Sequence, residues 1–193
     1  MIISLSGTPG TGKTSVAKEL SKLLNVDIVD LKAVARKLPF SYDKKRKALI
    51  VDPELLQKAV QGKIKNKQSH IVLEGHLAHL LESELVIVLR ANPLVLEKRL
   101  KKRKWLSSKI RENLEAEILD ATSIEALEKH ACKSTSKGHQ NTCKVFEIDT
   151  SKKTPKAIAQ LIVKLIKNPK QRIKYSAGKI DWSEKYKRIL IKL

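Results

Sequence analysis

Apolar runs of strand length recur at residues 2–6 (IISLS), 26–30 (VDIVD), 70–75 (HIVLEG), 85–90 (LVIVLR) and 144–149 (KVFEID), and each gives way to a helical pattern or a polar loop. This alternation predicts an α/β fold in which five strands form a mostly parallel sheet with helices on both faces. Ligand groups in such a sheet gather at the carboxyl ends of the strands. Residues 31–69, between the second and third runs, exceed a minimal crossover. They contain the charge-rich stretch ARKLPFSYDKKRKALIVD, which reads as an inserted flap. After the fourth run, helical periodicity over 93–121 is interrupted near Trp105 to Ser108, so two helices meet at a short basic elbow, with Ser108 placed to cap the second. Pro155 suits the first turn of a last core helix over 154–167, and the core ends near Asn168-Pro169. Beyond it, residues 169–193 form a basic amphipathic tail whose stripe carries Trp182, Tyr186, Ile189, Leu190 and Leu193. Docking on the protein's own core is the expectation for that stripe, with cover by a partner surface as the alternative.

The first run leads into GTPGTGKT at residues 7–14, and the amphipathic segment KTSVAKELSKLL follows. Strand, glycine-rich loop and helix in that order are the context in which G-x-x-x-x-G-K-[ST] binds phosphate. Glycines, among them Gly10 and Gly12, let backbone N–H groups around Thr11 turn inward as an anion-binding nest at a helix N-terminus. Lys13 reaches the terminal phosphates as a point charge, the Thr14 hydroxyl is placed for Mg²⁺, and Ser15 adds a further donor. The alternative, a glycine-rich turn capping a helix, leaves the Lys-Thr pair unexplained. ATP with Mg²⁺ is the expected ligand.

A chain of 193 residues suits one α/β domain with small insertions. Its opening lacks the basic start of a signal peptide, and no apolar run approaches membrane-spanning length, so a cytoplasmic protein is expected. The net charge of +20, spread over stretches such as KKRK (44–47) and KRLKKRK (98–104), is larger than ATP alone requires and suits contact with RNA or an RNA-rich assembly. Aromatic residues make up only 4% of the chain, which argues for phosphate contacts over stacked bases. Cys132 and Cys143 lie near His130 and His139, but their spacing is not that of a standard zinc module. Reduced thiols are expected, and a disulfide stays open for a hyperthermophilic source.

Four stretches together resemble the adenylate-kinase-like ATPases of archaea and the eukaryotic nucleus, a branch of the P-loop nucleoside monophosphate kinases. They are GTPGTGKT, SYDKKRKALIVD (41–52), IVLEGHLAHLL (71–81) and VLRANPLVLEKRLKKRKWLSSKIRENLEAEIL (88–119). The resemblance implies one kinase-like domain over 1–168, with a monophosphate-binding flap at about 31–55 and a short lid at about 102–112. Where the family has Asp-x-His, this chain has Glu74-Gly75-His76, a lengthened carboxylate. A carboxylate at a strand end facing the phosphate loop can hold Mg²⁺ or orient a nucleophile, and a neighbouring imidazole can position water or relay a proton. Arg103 matches the lid arginine that contacts ATP, and Arg99 is a second candidate. Arg36 is the candidate for the acceptor phosphate, although its spacing from Asp30-Leu31 departs from the family pattern. His79 reads as structural, and the loop 149–152 matches the place where such enzymes cradle adenine.

The expected activity is phosphoryl transfer from ATP to AMP or to water by a monomer. The resemblance also implies service to small ribosomal subunit maturation, with a small-subunit ribosomal protein and rRNA as partners. The alternatives are a nucleotide-regulated assembly factor with incidental turnover, and a housekeeping kinase for another nucleoside monophosphate.

Overall fold

The computed structural model describes residues 1–43, 48–65, 67, 69–130 and 144–192. In chain order its elements are β1 (Ile2–Ser6), α1 (Lys13–Leu24), β2 (Asp27–Asp30), α2 (Leu31–Ala35), β3 (Ser41–Asp43), β4 (Ala48–Ile50), α3 (Pro53–Ile64), β5 (Ile71–Glu74), β6 (Leu85–Arg90), α4 (Pro93–Lys102), α5 (Ser107–Ile118), α6 (Ala121–Lys129), β7 (Val145–Asp149), α7 (Pro155–Lys167) and α8 (Ser183–Lys192). The five expected strands form one sheet in the order β2-β5-β1-β6-β7. Every neighbouring pair in that sheet is parallel. The chain leaves β1 to build one side of the sheet and later returns to its other edge, so β1 lies at the switch point where such sheets bind ligands.

Alternation within β1 shows how the layers form. Ile3 and Leu5 face a core filled by Val16 and Leu20 of α1 and by Ile158 and Ile162 of α7. Ser4 and Ser6 face the opposite side, where Ser4 Oγ donates to the Ala78 carbonyl at 2.7 Å, so the buried hydroxyl is satisfied. Leu56 and Val60 of α3 cover that opposite side over β5, and Ala126 of α6 covers it over β6 and β7. Helices therefore flank both faces. The flap holds more regular structure than its charge-rich sequence suggested. It comprises α2 and the antiparallel pair β3–β4, with Tyr42 opposite Leu49.

Helix starts follow local chemistry. Asp52, Asn92 and Thr154 each accept a backbone N–H of the helix they precede, and a proline opens each of those helices. The elbow lies between α4 and α5, at 103–106, with Lys104 at φ 55°. Ser108 does not cap α5. Leu106 occupies the cap position, which puts Ser107 and Ser108 inside the first turn, and Lys109 pairs with Glu112 there at 2.7 Å. Past α7 the chain returns to β7: Ser176 bridges Phe146, and Glu147 Oε2 accepts the N–H groups of Gly178 (3.0 Å) and Ile180 (3.3 Å). On α8, Tyr186 is buried, its hydroxyl accepts from Asn92 Nδ2, and the Trp182 ring meets it edge-on at 6.2 Å. The cysteine stretch lies outside the described residues. His130, at its edge, donates through Nε2 to the His79 carbonyl at 2.8 Å.

Candidate functional site

The loop between β1 and α1 is shaped by close approach. A Cβ on Gly7 would lie 2.3 Å from the Leu89 carbonyl oxygen, and one on Gly10 would lie 2.8 Å from Leu96 Cδ1. Both residues have positive φ, 134° and 99°, so glycine is required by conformation as well as by space. Thr11 is buried, and its hydroxyl donates back to the Thr8 carbonyl at 2.9 Å. Lys13 opens α1, and its ammonium donates to the carbonyls of Gly7 (2.7 Å) and Thr8 (3.2 Å). Burial lowers its pKa from 10.5 to about 8, with Glu74 and Glu117 opposing that shift and Arg103 adding to it.

A cavity of about 520 Å³ opens beside this loop. Gly10, Gly12, Lys13, Thr14 and Ser15 line it from the loop and α1, Glu74 and His76 from the end of β5, and Arg103 from the elbow. Glu74 stands opposite Asp30 in the strand register, at the adjoining strand end. Thr14 Oγ1 donates to Glu74 Oε1 at 3.2 Å. Burial raises the Glu74 pKa, while Lys13 and the Thr14 bond pull it down. His76 Nδ1 lies 3.4 Å from the Gly7 carbonyl oxygen, and burial followed by repulsion from Lys13 lowers its pKa, so the imidazole is neutral at pH 7. Beneath it, Ser6 Oγ donates to the His76 carbonyl at 2.9 Å and lies 2.8 Å from His79 Nδ1. The other ring nitrogen of His79 is 2.8 Å from Glu125 Oε2, so His79 supports the turn from behind and does not line the cavity.

The structure separates the remaining sequence candidates. Arg36 ends α2, is exposed and does not line the cavity; Lys32, one turn earlier, does. The aspartate that caps α2, Asp30, accepts the N–H groups of Lys32 (2.8 Å) and Ala33 (3.2 Å) and turns Lys32 and Leu31 toward the strand ends. Arg99 donates to the carbonyl oxygens of Gly10 (3.4 Å) and Thr150 (3.0 Å), so it braces the loop. Asp30, Lys32 and Trp105 line the cavity, and sequence reasoning missed all three. For Lys32 a signal was present: Asp30 as a helix cap places it in the first turn beside a strand end.

Among the described residues there is no group of three or more His, Cys, Asp or Glu able to hold a metal ion, and no helix long and apolar enough to cross a membrane. Thr14 and Glu74 offer adjacent oxygen ligands beside the phosphate loop. That pair fits Mg²⁺, which binds few protein oxygens and keeps water and phosphate as its other ligands.

Comparison with known proteins agrees with this geometry. The AAA domain family matches residues 3–120. A Thermococcus kodakarensis protein provisionally named adenylate kinase is 37% identical over 98% of this chain and 97% of its own. A Methanosarcina barkeri protein of the same provisional name is 40% identical over 94% and 97%. Among solved structures, shikimate kinase from Acinetobacter baumannii in complex with shikimate aligns with a TM-score of 0.55 at 16% identity, covering 88% of this chain and 94% of that one. Deoxyadenosine kinase from M. mycoides with bound dATP aligns at 0.53 and 16%, covering 87% and 100%. These two likenesses establish the fold alone. With the phosphate loop at the sheet's switch point and relatives matching nearly end to end, the chain belongs to the archaeal adenylate-kinase-like family of P-loop ATPases.

Proposed function

We propose that the protein transfers the terminal phosphoryl group of ATP, with Mg²⁺, to AMP or to water. The observation that carries this reading is one cavity in which Lys13, Thr14, Glu74, His76 and Arg103 converge from three separate parts of the chain. In phosphoryl transfer the protein's work is positioning and charge neutralisation. Lys13 exchanges its two carbonyl partners for phosphate oxygens, and the anion restores the charge that burial opposes. Thr14 and Glu74 are the residues that would hold Mg²⁺, which when bound neutralises charge on the terminal phosphates. Glu74 and neutral His76 orient the attacking oxygen, with His76 able to accept a proton. Arg103 closes over the nucleotide from the elbow and excludes water. On the flap side, Lys32 lines the cavity and Arg36 does not, so Lys32 is the better candidate for an acceptor phosphate.

Purified protein with MgATP, with and without AMP, tests this reading. ADP formed from both nucleotides identifies the kinase, and ADP with free phosphate identifies the ATPase. Lys13→Ala should abolish either product. Glu74→Gln should leave ATP affinity within about threefold and lower turnover about 100-fold. No product from wild type, or equal turnover by Glu74→Gln, overturns the assignment. The net charge of +20 favours a second, compatible reading, in which nucleotide state regulates binding to an RNA-rich assembly, such as a small-subunit precursor with one of its ribosomal proteins. Nucleotide-dependent cofractionation with such precursors supports it, and an isolated monomer with rapid AMP turnover and no cofractionation overturns it.

A further inference from the structure

Helix α5 carries a buried charge where its pattern calls for an apolar side chain. Ile110, Leu114 and Ile118 make up its buried stripe, and Glu117, only 1% exposed, stands among them. A buried carboxylate needs partners that repay its desolvation. Arg90 is one: its Nε donates to Glu117 Oε1 at 2.9 Å. Yet Arg90 already faces Glu147 at 2.6 Å and also pairs with Asp120, so one guanidinium meets three carboxylates. Neutralising Arg90 does not require Glu117.

Two further bonds tie the Glu117 carboxylate to the end of β6 and to the phosphate loop. Its Oε1 accepts the Ala91 N–H at 2.9 Å, and its Oε2 accepts the hydroxyl of Thr8 at 2.5 Å. Thr8 is the second residue of the loop and is itself 1% exposed, so the contact is buried at both ends. Burial pushes the Glu117 pKa up, and Arg90 and the Thr8 bond oppose it; donors on both oxygens suit the ionised form. Across the elbow, α4 reaches the same loop through Arg99 to the Gly10 carbonyl. The two helices that carry Arg103 and Trp105 between them thus each grip the loop that would bind the nucleotide.

We propose that Glu117 is a positioning residue for the phosphate loop, fixing its first turn through Thr8 so that α5 and the loop's backbone donors hold one relative geometry. The proposal rests on the nucleotide reading for its functional consequence, while its structural consequence is measurable without any ligand. Hydrogen exchange in the ligand-free protein, followed in peptides covering residues 7–12, reads the loop directly. Thr8→Val and Glu117→Gln should each speed exchange there about tenfold relative to peptides from β1 and α7, and raise the Kd for ATP about tenfold. The double variant should do no more than Thr8→Val alone, because both act on one contact, Thr8→Val by removing the hydroxyl and Glu117→Gln by removing the charge that strengthens its bond. Thr8→Ser, which keeps the hydroxyl, should restore wild-type behaviour. Thr8→Val leaves the charges around Arg90 intact, so it carries the test if Glu117→Gln does not fold. Loop exchange and Kd within twofold of wild type, with only thermal stability lowered, overturn the proposal, as does additivity in the double variant. If wild type binds no ATP, the nucleotide reading fails and the exchange measurement alone decides the role of Glu117.

Discussion

The low pKa of Lys13 is a stability statement. Burial lowers it from 10.5 to about 8, and the opposing pull of Glu74 and Glu117 does not offset that. With the folded pKa below the unfolded one, the penalty for holding the ammonium is fully present below pH 8 and fades as pH rises toward 10.5. A shift of this size corresponds to an upper limit of about 3 kcal/mol. Lys13→Met should therefore stabilise the ligand-free protein at pH 7 by about 1–3 kcal/mol, net of the two carbonyl bonds it loses. The gain should vanish by about pH 10.5. Chemical denaturation of both proteins across that range checks it, and an equal or lower stability of the variant at pH 7 would show that the carbonyl bonds outweigh the burial penalty. If Lys13→Met is the more stable protein, the same lysine serves function at the expense of the ligand-free fold.

At the scale of elements, the packing of α4 decides what the loop can be. Leu96 and Leu100 press on Gly10 from a small apolar cluster that also holds Ile110 and Leu114 of α5, with Trp105 packed against it. Gly10→Ala adds a Cβ 2.8 Å from Leu96 at a backbone angle that L-residues rarely adopt. It should destabilise by about 2 kcal/mol. Gly10→Ala should also weaken ATP binding, and Leu96→Ala in that background should recover only part of that loss, since it relieves one contact and leaves the backbone strain. Calorimetric unfolding and ATP titration of the single and double variants test this; full recovery would mean that φ at Gly10 carries no strain.

For the whole molecule, the decisive feature is how the segment after α7 closes the sheet's far edge. It supplies two N–H donors to Glu147, and its Ile180 carbonyl lies 3.4 Å from Arg90 Nη1. Glu147 is 2% exposed in the intact chain, so removing the segment strips those two donors and opens the buried Arg90–Glu147 pair to water. Truncation after Asn168 also uncovers the pocket filled by Tyr186. The shortened chain should lose at least about 3 kcal/mol of stability. Urea unfolding of both proteins measures it. Unchanged stability would assign the stripe of α8 to a partner instead.

The sequence by itself determined what depends on neighbours along the chain. The periodicity of five apolar runs specified the sheet, Pro155 the start of α7, and the spacing of GTPGTGKT between a strand and a helix specified the phosphate loop and, with it, Lys13 and Thr14. Glu74 and His76 were legible because a polar pair directly ends an apolar strand. Only the tertiary structure decided which side chains meet across long separations. Thr8 and Glu117 stand 109 residues apart, and although the pattern of α5 puts Glu117 on its apolar face, nothing in that pattern names its partner. Lys32 and Arg36 lie four residues apart on one short segment. Both are exposed, and only the packing of α2 against α3 and β2 shows that Lys32 lines the cavity and Arg36 does not. Spacing along a chain constrains backbone conformation through local sterics and periodic burial, whereas convergence at a site depends on how layers stack, and that is set by the summed packing of the whole core.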